Sequence, residues 1–317
     1  MAELRQNPIT GEWTIISCER AGRPYQFDKA DDHSECPFCI ANEQMIISEI
    51  ARLGGEGDGW HVRAVPNKYP IVAPCDCHWL SQDFYLAFED FGQHEVIIET
   101  PEHNQSLEKL EASWVTEVFE MYQNRIATLL ALPQIQYVQI FKNNGRLGGA
   151  SLPHPHSQVV ALPHIPSYVQ NEMAHMEDYH KAHQKCLLCD IIHKELTDGC
   201  RLVLENEQFV AFVPYAPRYA FEVCIAPKMH HAQYETTKHL DLLAQCFKQL
   251  LEKTSAALGE FSYNLLLHTL PKGGNTQANH WHMALIPRVS HHAGFELATG
   301  STIHIQSPEK VAEKIRG

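Results

Sequence analysis

Apolar residues recur along this chain at two spacings, and each spacing predicts a different element. Between 106 and 132 (SLEKLEASWVTEVFEMYQNRIATLLAL) they fall at helical intervals, with Ser106 placed to cap the helix. Residues 236–258 and 169–184 read the same way. Short β-rich runs lie around them. Glu95-Val-Ile-Ile-Glu99 stops at Pro101, and Glu222-Val-Cys-Ile-Ala226 stops at Pro227; each reads as a strand entering a loop. Ile135–Phe141 and Tyr263–His268 follow the two long helical segments, and each leads through a Gly-containing loop into a His-x-His strand. Sheet plus helix with antiparallel connections is an α+β pattern.

The pattern occurs twice. The first half carries Cys36-Pro-Phe-Cys39, then Glu95-Val96, His103 and His154-Pro-His156. The second carries Cys186-Leu-Leu-Cys189, then Glu222-Val223, His230 and His280-Trp-His282. Three matched intervals in one order point to a duplicated domain. The Pro-rich segment Leu162-Pro-His-Ile-Pro166 marks the boundary, giving halves of 1–165 and 166–317.

Charge narrows the partners. The 317 residues hold 25 Lys+Arg against 38 Asp+Glu, a formal charge of −13. That balance disfavours a general nucleic-acid binder, whose affinity comes mostly from cation–phosphate contacts. There is no apolar stretch of about 18 residues, so no membrane span is expected. The N-terminus has no apolar h-region, so a cytoplasmic protein is expected.

There are 10 cysteines and 21 histidines. Without an export signal, C-x-x-C pairs beside surplus histidine suggest metal sites and not disulfides. Two thiolates from a C-x-x-C turn and two later histidines make a tetrahedral zinc set. The first half offers Cys36, Cys39, His103 and His154, and the second Cys186, Cys189, His230 and His280. Spacing alone leaves His94 a rival to His103, His231 to His230, and His282 to His280. Four ligands fill the ion, so both sites are expected to be structural. Cys18, Cys75, Cys77, Cys200, Cys224 and Cys246 fall outside these sets and read as buried thiols, with Cys75-Asp-Cys77 beside His78 a weak further metal candidate.

In a strand, His154, His156 and Gln158 share one face. If His154 holds zinc, His156 is anchored beside it, and an unprotonated imidazole can attack phosphorus to give a covalent phosphoramidate. The Gln158 amide can donate to a phosphate oxygen. Just upstream, Asn143-Asn-Gly-Arg-Leu-Gly-Gly-Ala-Ser151 is a glycine-rich run that lets backbone approach a phosphate, although no Walker sequence follows. In the second half Ala284 stands where Gln158 does, so chemistry is expected in the first half alone.

These residues resemble the galactose-1-phosphate uridylyltransferase family of the histidine-triad superfamily, which includes ADP-glucose phosphorylase-like relatives. The resemblance runs nearly end to end: Arg5-Gln-Asn-Pro-Ile-Thr-Gly-Glu-Trp13, Arg63-Ala-Val-Pro-Asn-Lys-Tyr-Pro70, Thr100-Pro-Glu-His103, His154-Pro-His-Ser-Gln158, Phe212-Val-Pro-Tyr-Ala216, Tyr263-Asn-Leu-Leu-Leu-His268 and Ile286-Pro-Arg288. It implies tandem histidine-triad-like halves, two zinc ions and His103 as the ligand. It also implies ping-pong transfer through a nucleotidyl-His156, steadied by Gln158. By the same resemblance Ser151 meets phosphate, Asn67 and Asn143 lie near the nucleotide, and Glu296 meets the hexose. The implied partners are a nucleotide-sugar and a sugar 1-phosphate, with a homodimer expected by analogy.

Two departures bear on the substrate. Ser157 stands where the best-known members have glycine, and Ala298-Thr-Gly-Ser-Thr-Ile-His304 replaces their sugar-contacting stretch. Uridylyl transfer between hexose 1-phosphates is the leading expectation. Adenylyl transfer to inorganic phosphate is the alternative, and a non-catalytic zinc-stabilised nucleotide-binding protein is the rival from another class.

Overall fold

The computed structural model describes residues 3–17, 36–46, 48–55, 59–74, 80–89, 91–103 and 105–317. Cys18, Cys75, Cys77 and His78 lie outside the described residues. The fold is α+β with antiparallel strand pairing. Thirteen strands form among the described residues: β1 (Glu3–Gln6), β2 (Trp13–Ile16), β3 (Ala51–Gly54), β4 (Trp60–Pro66), β5 (Ala87–Glu89), β6 (Gln93–Ile98), β7 (Tyr137–Asn144), β8 (His156–Leu162), β9 (Leu202–Glu205), β10 (Phe209–Phe212), β11 (Val223–Pro227), β12 (Tyr263–His268) and β13 (His282–Pro287). Ten make one sheet, in the order β3-β4-β6-β8-β7-β12-β13-β11-β10-β9, and β2-β1-β5 make a small second sheet. The order reads alike outward from the β7–β12 seam, so corresponding strands of the two repeats sit at mirrored positions in one continuous sheet.

The helices are α1 (Ala112–Leu130), α2 (Ser167–His183), α3 (Leu187–Asp198), α4 (Leu240–Leu258), α5 (Gly294–Thr299) and α6 (Pro308–Arg316). The apolar stripes of α1 and α4 cover one face of the sheet. Val115, Val118 and Phe119 of α1 join Ile97, Ile140 and Val159, while Leu243, Phe247 and Leu250 of α4 join Ile225, Leu265 and Leu285 in the same core. Phe119 and Phe247 meet edge-on at 5.6 Å and lock the two helices together across the seam. Among the described residues no helix is long and apolar enough to cross a membrane.

Several boundaries differ from the sequence pattern. Helix α1 begins six residues after Ser106, and its first residue follows Glu111 with no side-chain cap. The Ser106 carbonyl instead accepts from Lys109 N–H and Leu110 N–H, in a separate turn that buries Leu107 and Leu110. Helix α4 begins at Leu240, after a short 3₁₀ turn at Tyr234–Thr236. Strand β7 runs on through Asn143, which therefore lies in the sheet and not in the glycine-rich loop.

The Glu-Val match is off by one. Gln158 pairs with Val96, and Ala284 pairs with Cys224, so the counterpart of Val96 is Cys224 and not Val223. A one-residue slip inverts which face a side chain takes. Glu95 accordingly faces α1, where its carboxylate binds Arg125 through two bonds of 2.7 and 2.8 Å with both groups buried.

Removing one partner of a buried pair strands a charge. Arg125→Met is expected to lower unfolding free energy by about 3–5 kcal/mol in urea titrations, with most of the loss recovered in the Glu95→Gln/Arg125→Met double variant. A single variant as stable as wild type would show that this pair contributes nothing.

Candidate active site and metal centres

The first C-x-x-C turn comes to rest against the entry of β8. Cys39 Sγ lies 3.3 Å from His103 Nδ1 and 3.7 Å from His154 Nδ1, and Cys36 Sγ lies 3.6 Å from His154 Nδ1. In the second half Cys189 Sγ lies 3.4 Å from both His230 Nδ1 and His280 Nδ1, with Cys186 Sγ 3.9 Å from His280 Nδ1. Within each quartet all four ligand atoms lie within 4.8 Å of one another. The edges of a tetrahedron built on ordinary metal–sulfur and metal–nitrogen bonds are roughly 3.5 Å, so each quartet fits one ion.

Tautomers agree with this. A peptide carbonyl only accepts, so the bond from His154 Nε2 to Thr100 O (2.7 Å) puts the proton on Nε2 and turns a bare Nδ1 to the sulfurs. His280 does the same through Pro227 O (3.1 Å), and His230 through Thr276 O (2.8 Å). Burial pushes the Cys36 thiol up to about 12, so a thiolate there calls for a cation between the sulfurs. Burial also holds His154 down to about 3, which keeps its ring neutral.

The structure separates the rival histidines. His231 reaches Thr236 Oγ1 at 3.2 Å, and His282 stands on β13 beyond the second quartet. His94 lies on β6 with Gln158. Its Nδ1 accepts from Ile71 N–H (2.9 Å), leaving Nε2–H to donate to Gln158 Oε1 (3.0 Å). Gln158 therefore has its oxygen engaged and its NH₂ turned the other way. Asn67 lies beside the group, its Oδ1 accepting from Tyr69 N–H (2.8 Å). The sequence pattern misses this role of His94. The signal would have been its register opposite Val160, which places it on the Gln158 face.

Strand β8 starts at His156, so His154 occupies the bend before it. His156 is buried, and its Nδ1 donates to the His154 carbonyl at 2.8 Å, leaving the lone pair on Nε2. Phe38, inside the first C-x-x-C, packs at 5.4 Å from the His156 ring and 5.8 Å from His154. Behind the strand Lys142 binds Glu99 (2.6 Å), and Glu99 also accepts from Ser157, all three buried beneath the helix layer. Ser151 is buried at the end of the glycine-rich loop.

The second half is arranged differently at the same place. The His282 Nδ1 contact to the His280 carbonyl lengthens to 3.5 Å. Glu172 of α2 stands 3.9 Å from His282 Nε2 and accepts from His268 Nδ1 at 2.9 Å, while the His268 and His282 rings stack at 4.7 Å. These three form a further converging group. Burial pushes the Glu172 carboxyl up, but His282 and His268 beside it bring it down to about 2. A carboxylate thus stands where a phosphate would have to approach His282. The cavity beside it, ≈ 1270 Å³, has Cys224, Leu266 and Ala284 among its apolar lining.

Glu296 lies in the first turn of α5. Among the described residues its carboxylate accepts from Ala293 N–H (3.0 Å) at the start of α5. Phe295 and Leu297 beside it are 55% and 76% exposed. Cys224 and Cys246 are buried thiols pushed up by burial, and Cys200 is half-buried.

Comparison with known proteins places the chain among relatives of the same fold. Residues 65–166 match the family model of the galactose-1-phosphate uridyl transferase N-terminal domain. The chain is 32% identical to ADP-glucose phosphorylase of Arabidopsis thaliana, over 99% of this chain and 92% of that one. It is 28% identical to galactose-1-phosphate uridylyltransferase of Thermotoga maritima, over 100% and 98%. The crystal structure of the Arabidopsis thaliana ADP-glucose phosphorylase with bound ADP-glucose superposes with a TM-score of 0.80, at 31% identity over 100% of this chain and 99% of that one.

Purified protein is expected to hold about two metal ions per chain by elemental analysis, and Cys36→Ser and Cys186→Ser should each lose one. A single-cysteine variant that keeps both ions would refute its quartet.

Proposed function

Since the chain belongs to the galactose-1-phosphate uridylyltransferase family and is a nucleotidyltransferase, we propose that it works in two steps through His156, moving a uridylyl group between hexose 1-phosphates. In the first step His156 Nε2 attacks the α-phosphorus of the nucleotide-sugar. An N–P bond forms, the bond from the α-phosphorus to the bridging oxygen breaks, and hexose 1-phosphate leaves with the electron pair. In the second step a phosphate oxygen of the other hexose 1-phosphate attacks the same phosphorus and frees His156.

The observation that carries this reading is the His156 Nδ1–H bond to the His154 carbonyl. It presents Nε2 with its lone pair, and the same carbonyl steadies the ring when nucleotidylation makes it cationic. Gln158, its oxygen held by His94, donates its N–H to the phosphoryl oxygens as charge shifts. Ser151 and Asn143 line the phosphate approach, and Asn67 lies toward the nucleoside. Cys36, Cys39, His103 and His154 hold one zinc, and Cys186, Cys189, His230 and His280 the other. Both sets are closed, so each ion braces the fold and the first also anchors the strand of the nucleophile. Residues 1–165 and 166–317 are read as tandem histidine-triad-like halves, with the chemistry in the first. Glu296 meets the hexose from an exposed segment, which suits a homodimer in which that segment faces the partner's site.

A second reading, adenylyl transfer from an ADP-sugar to inorganic phosphate, is favoured by specific features. These are the second cysteine pair, the stretch 298–304 and the 32% identity to an ADP-glucose phosphorylase. The chemistry at His156 is unchanged; base and acceptor differ.

Protein incubated without acceptor should take acid-labile label from a nucleotide-sugar labelled at the α-phosphate, and the faster of UDP- and ADP-hexose identifies the base. His156→Ala should take none, and Gln158→Ala should label about 10²-fold more slowly, the usual effect of losing one such donor. Label on His156→Ala equal to wild type would exclude the two-step mechanism.

A further inference from the structure

The glycine-rich loop of the first half rests on the second half. Strand β12 pairs with β7 so that Asn264 stands opposite Asn143 and Tyr263 opposite Asn144. A side chain at Gly148 would collide with the backbone oxygens of Asn144 and Tyr263, so the loop lies flat against β12. Gly145, at φ +72°, turns the chain where Ser262 leaves no room for a side chain.

Asn264 closes the contact. Its Nδ2 lies 2.8 Å from the Gly148 carbonyl oxygen and 2.9 Å from Asn143 Oδ1. The carbonyl settles the amide orientations, because it cannot donate. The Asn264 end facing Gly148 must be the NH₂, and the Asn143 atom meeting that same NH₂ must be oxygen. Asn143 then shows its own NH₂ to whatever lies on the His156 face. Continuing the register past Lys142–Ser157 puts Asn143 beside His156 on that face.

We infer that Asn264 is a positioning residue for donor binding: it makes Asn143 an obligate hydrogen-bond donor to the nucleotide-sugar and holds the Gly148 carbonyl out of the phosphate's way. The inference rests on the proposed role of His156 and Asn143. It gives the second half a part in the reaction that its own His282 does not have. His94 does for Gln158 what Asn264 does for Asn143, so two amides are set as donors by two neighbours.

Substitutions at Asn264 separate this from a packing role. Asn264→Ala and Asn264→Leu remove the donor, and each is expected to raise the donor KM about tenfold, the scale of one hydrogen bond to a charged group, with little change in kcat. Asn264→Asp is closer in shape but places oxygens against two acceptors. It should flip the Asn143 amide and raise KM about tenfold beyond alanine. Packing alone predicts the reverse order. In an Asn143→Ala background the aspartate should be no worse than the alanine, whereas bulk charge repulsion would persist. Circular dichroism and Tm establish folding of each variant. An Asn264→Leu variant with unchanged donor KM overturns the inference whatever the aspartate does, as does an aspartate no worse than alanine. Absence of His156-dependent label in wild type would instead defeat the two-step chemistry on which the inference rests.

Discussion

A backbone carbonyl accepts hydrogen bonds and never donates them, and the chemistry of this chain depends on where four such carbonyls point. Thr100 O, Pro227 O and Thr276 O each take the Nε2 proton of a histidine and leave Nδ1 toward a pair of sulfurs. His154 O takes the Nδ1 proton of His156 and leaves Nε2 bare. Two histidines two residues apart are thereby given opposite tautomers. No side-chain acid is needed to set them, and none titrates away. The carbonyls in turn are held by the sheet: Glu99 N–H bonds Pro155 O (3.2 Å), which ties the end of β6 to the residue between the two histidines. The candidate metal quartet and the bare Nε2 of His156 are two products of one strand entry.

Comparison of the halves shows which part of that entry is specific. Both keep the quartet, the C-x-x-C turn and the His-x-His entry. In the second half the carbonyl contact to the second histidine weakens from 2.8 to 3.5 Å, the glutamine becomes Ala284, and Glu172 takes the space before Nε2. Metal binding needs the first histidine alone, so the quartet survives loss of the second one's geometry. The second half remains necessary to the first because β12 supplies the floor on which the glycine-rich loop lies. A duplicated unit can persist as a template for its twin.

Much of this was legible in the sequence, and the limits have physical causes. The quartets and the reactive strand show because metal and phosphoryl chemistry demand particular residue types at short, fixed spacings. His94 and Asn264 carry no such signature: a histidine or asparagine in a strand acquires a role only through its cross-strand neighbour, and pairing register is a tertiary fact. The same limit explains the Glu-Val match. The two dipeptides are alike in sequence, yet the ladders align Val96 with Cys224, and a loop one residue different in length still delivers His103 and His230 to equivalent places. Ser106 satisfied the local rule for a cap, but burying Leu107 and Leu110 draws that segment into a turn of its own. Tertiary burial outweighs a cap of about 1 kcal/mol.

The net charge of −13 looks ill-suited to a polyphosphate ligand until the cations are followed inward. Lys142 is neutralised by Glu99, Arg125 by Glu95 and Arg201 by Glu195, each pair largely buried. These charges brace strands and helices, and in the proposed reaction the donors on the His156 face are the amide NH₂ groups of Gln158 and Asn143. For a group transfer this is a favourable division. Total charge over ligand and imidazole does not change as the nucleotidyl group moves from oxygen to nitrogen and on to another oxygen; only its distribution shifts. A fixed cation would hold substrate, intermediate and product alike, whereas an oriented N–H donor strengthens selectively as charge shifts onto the oxygen it faces. Two such donors have their acceptor ends tied off by neighbours, Gln158 by His94 and Asn143 by Asn264. Neither amide can rotate to offer oxygen to a phosphate without breaking the hydrogen bond to its neighbour, so the dipoles are oriented before any ligand arrives.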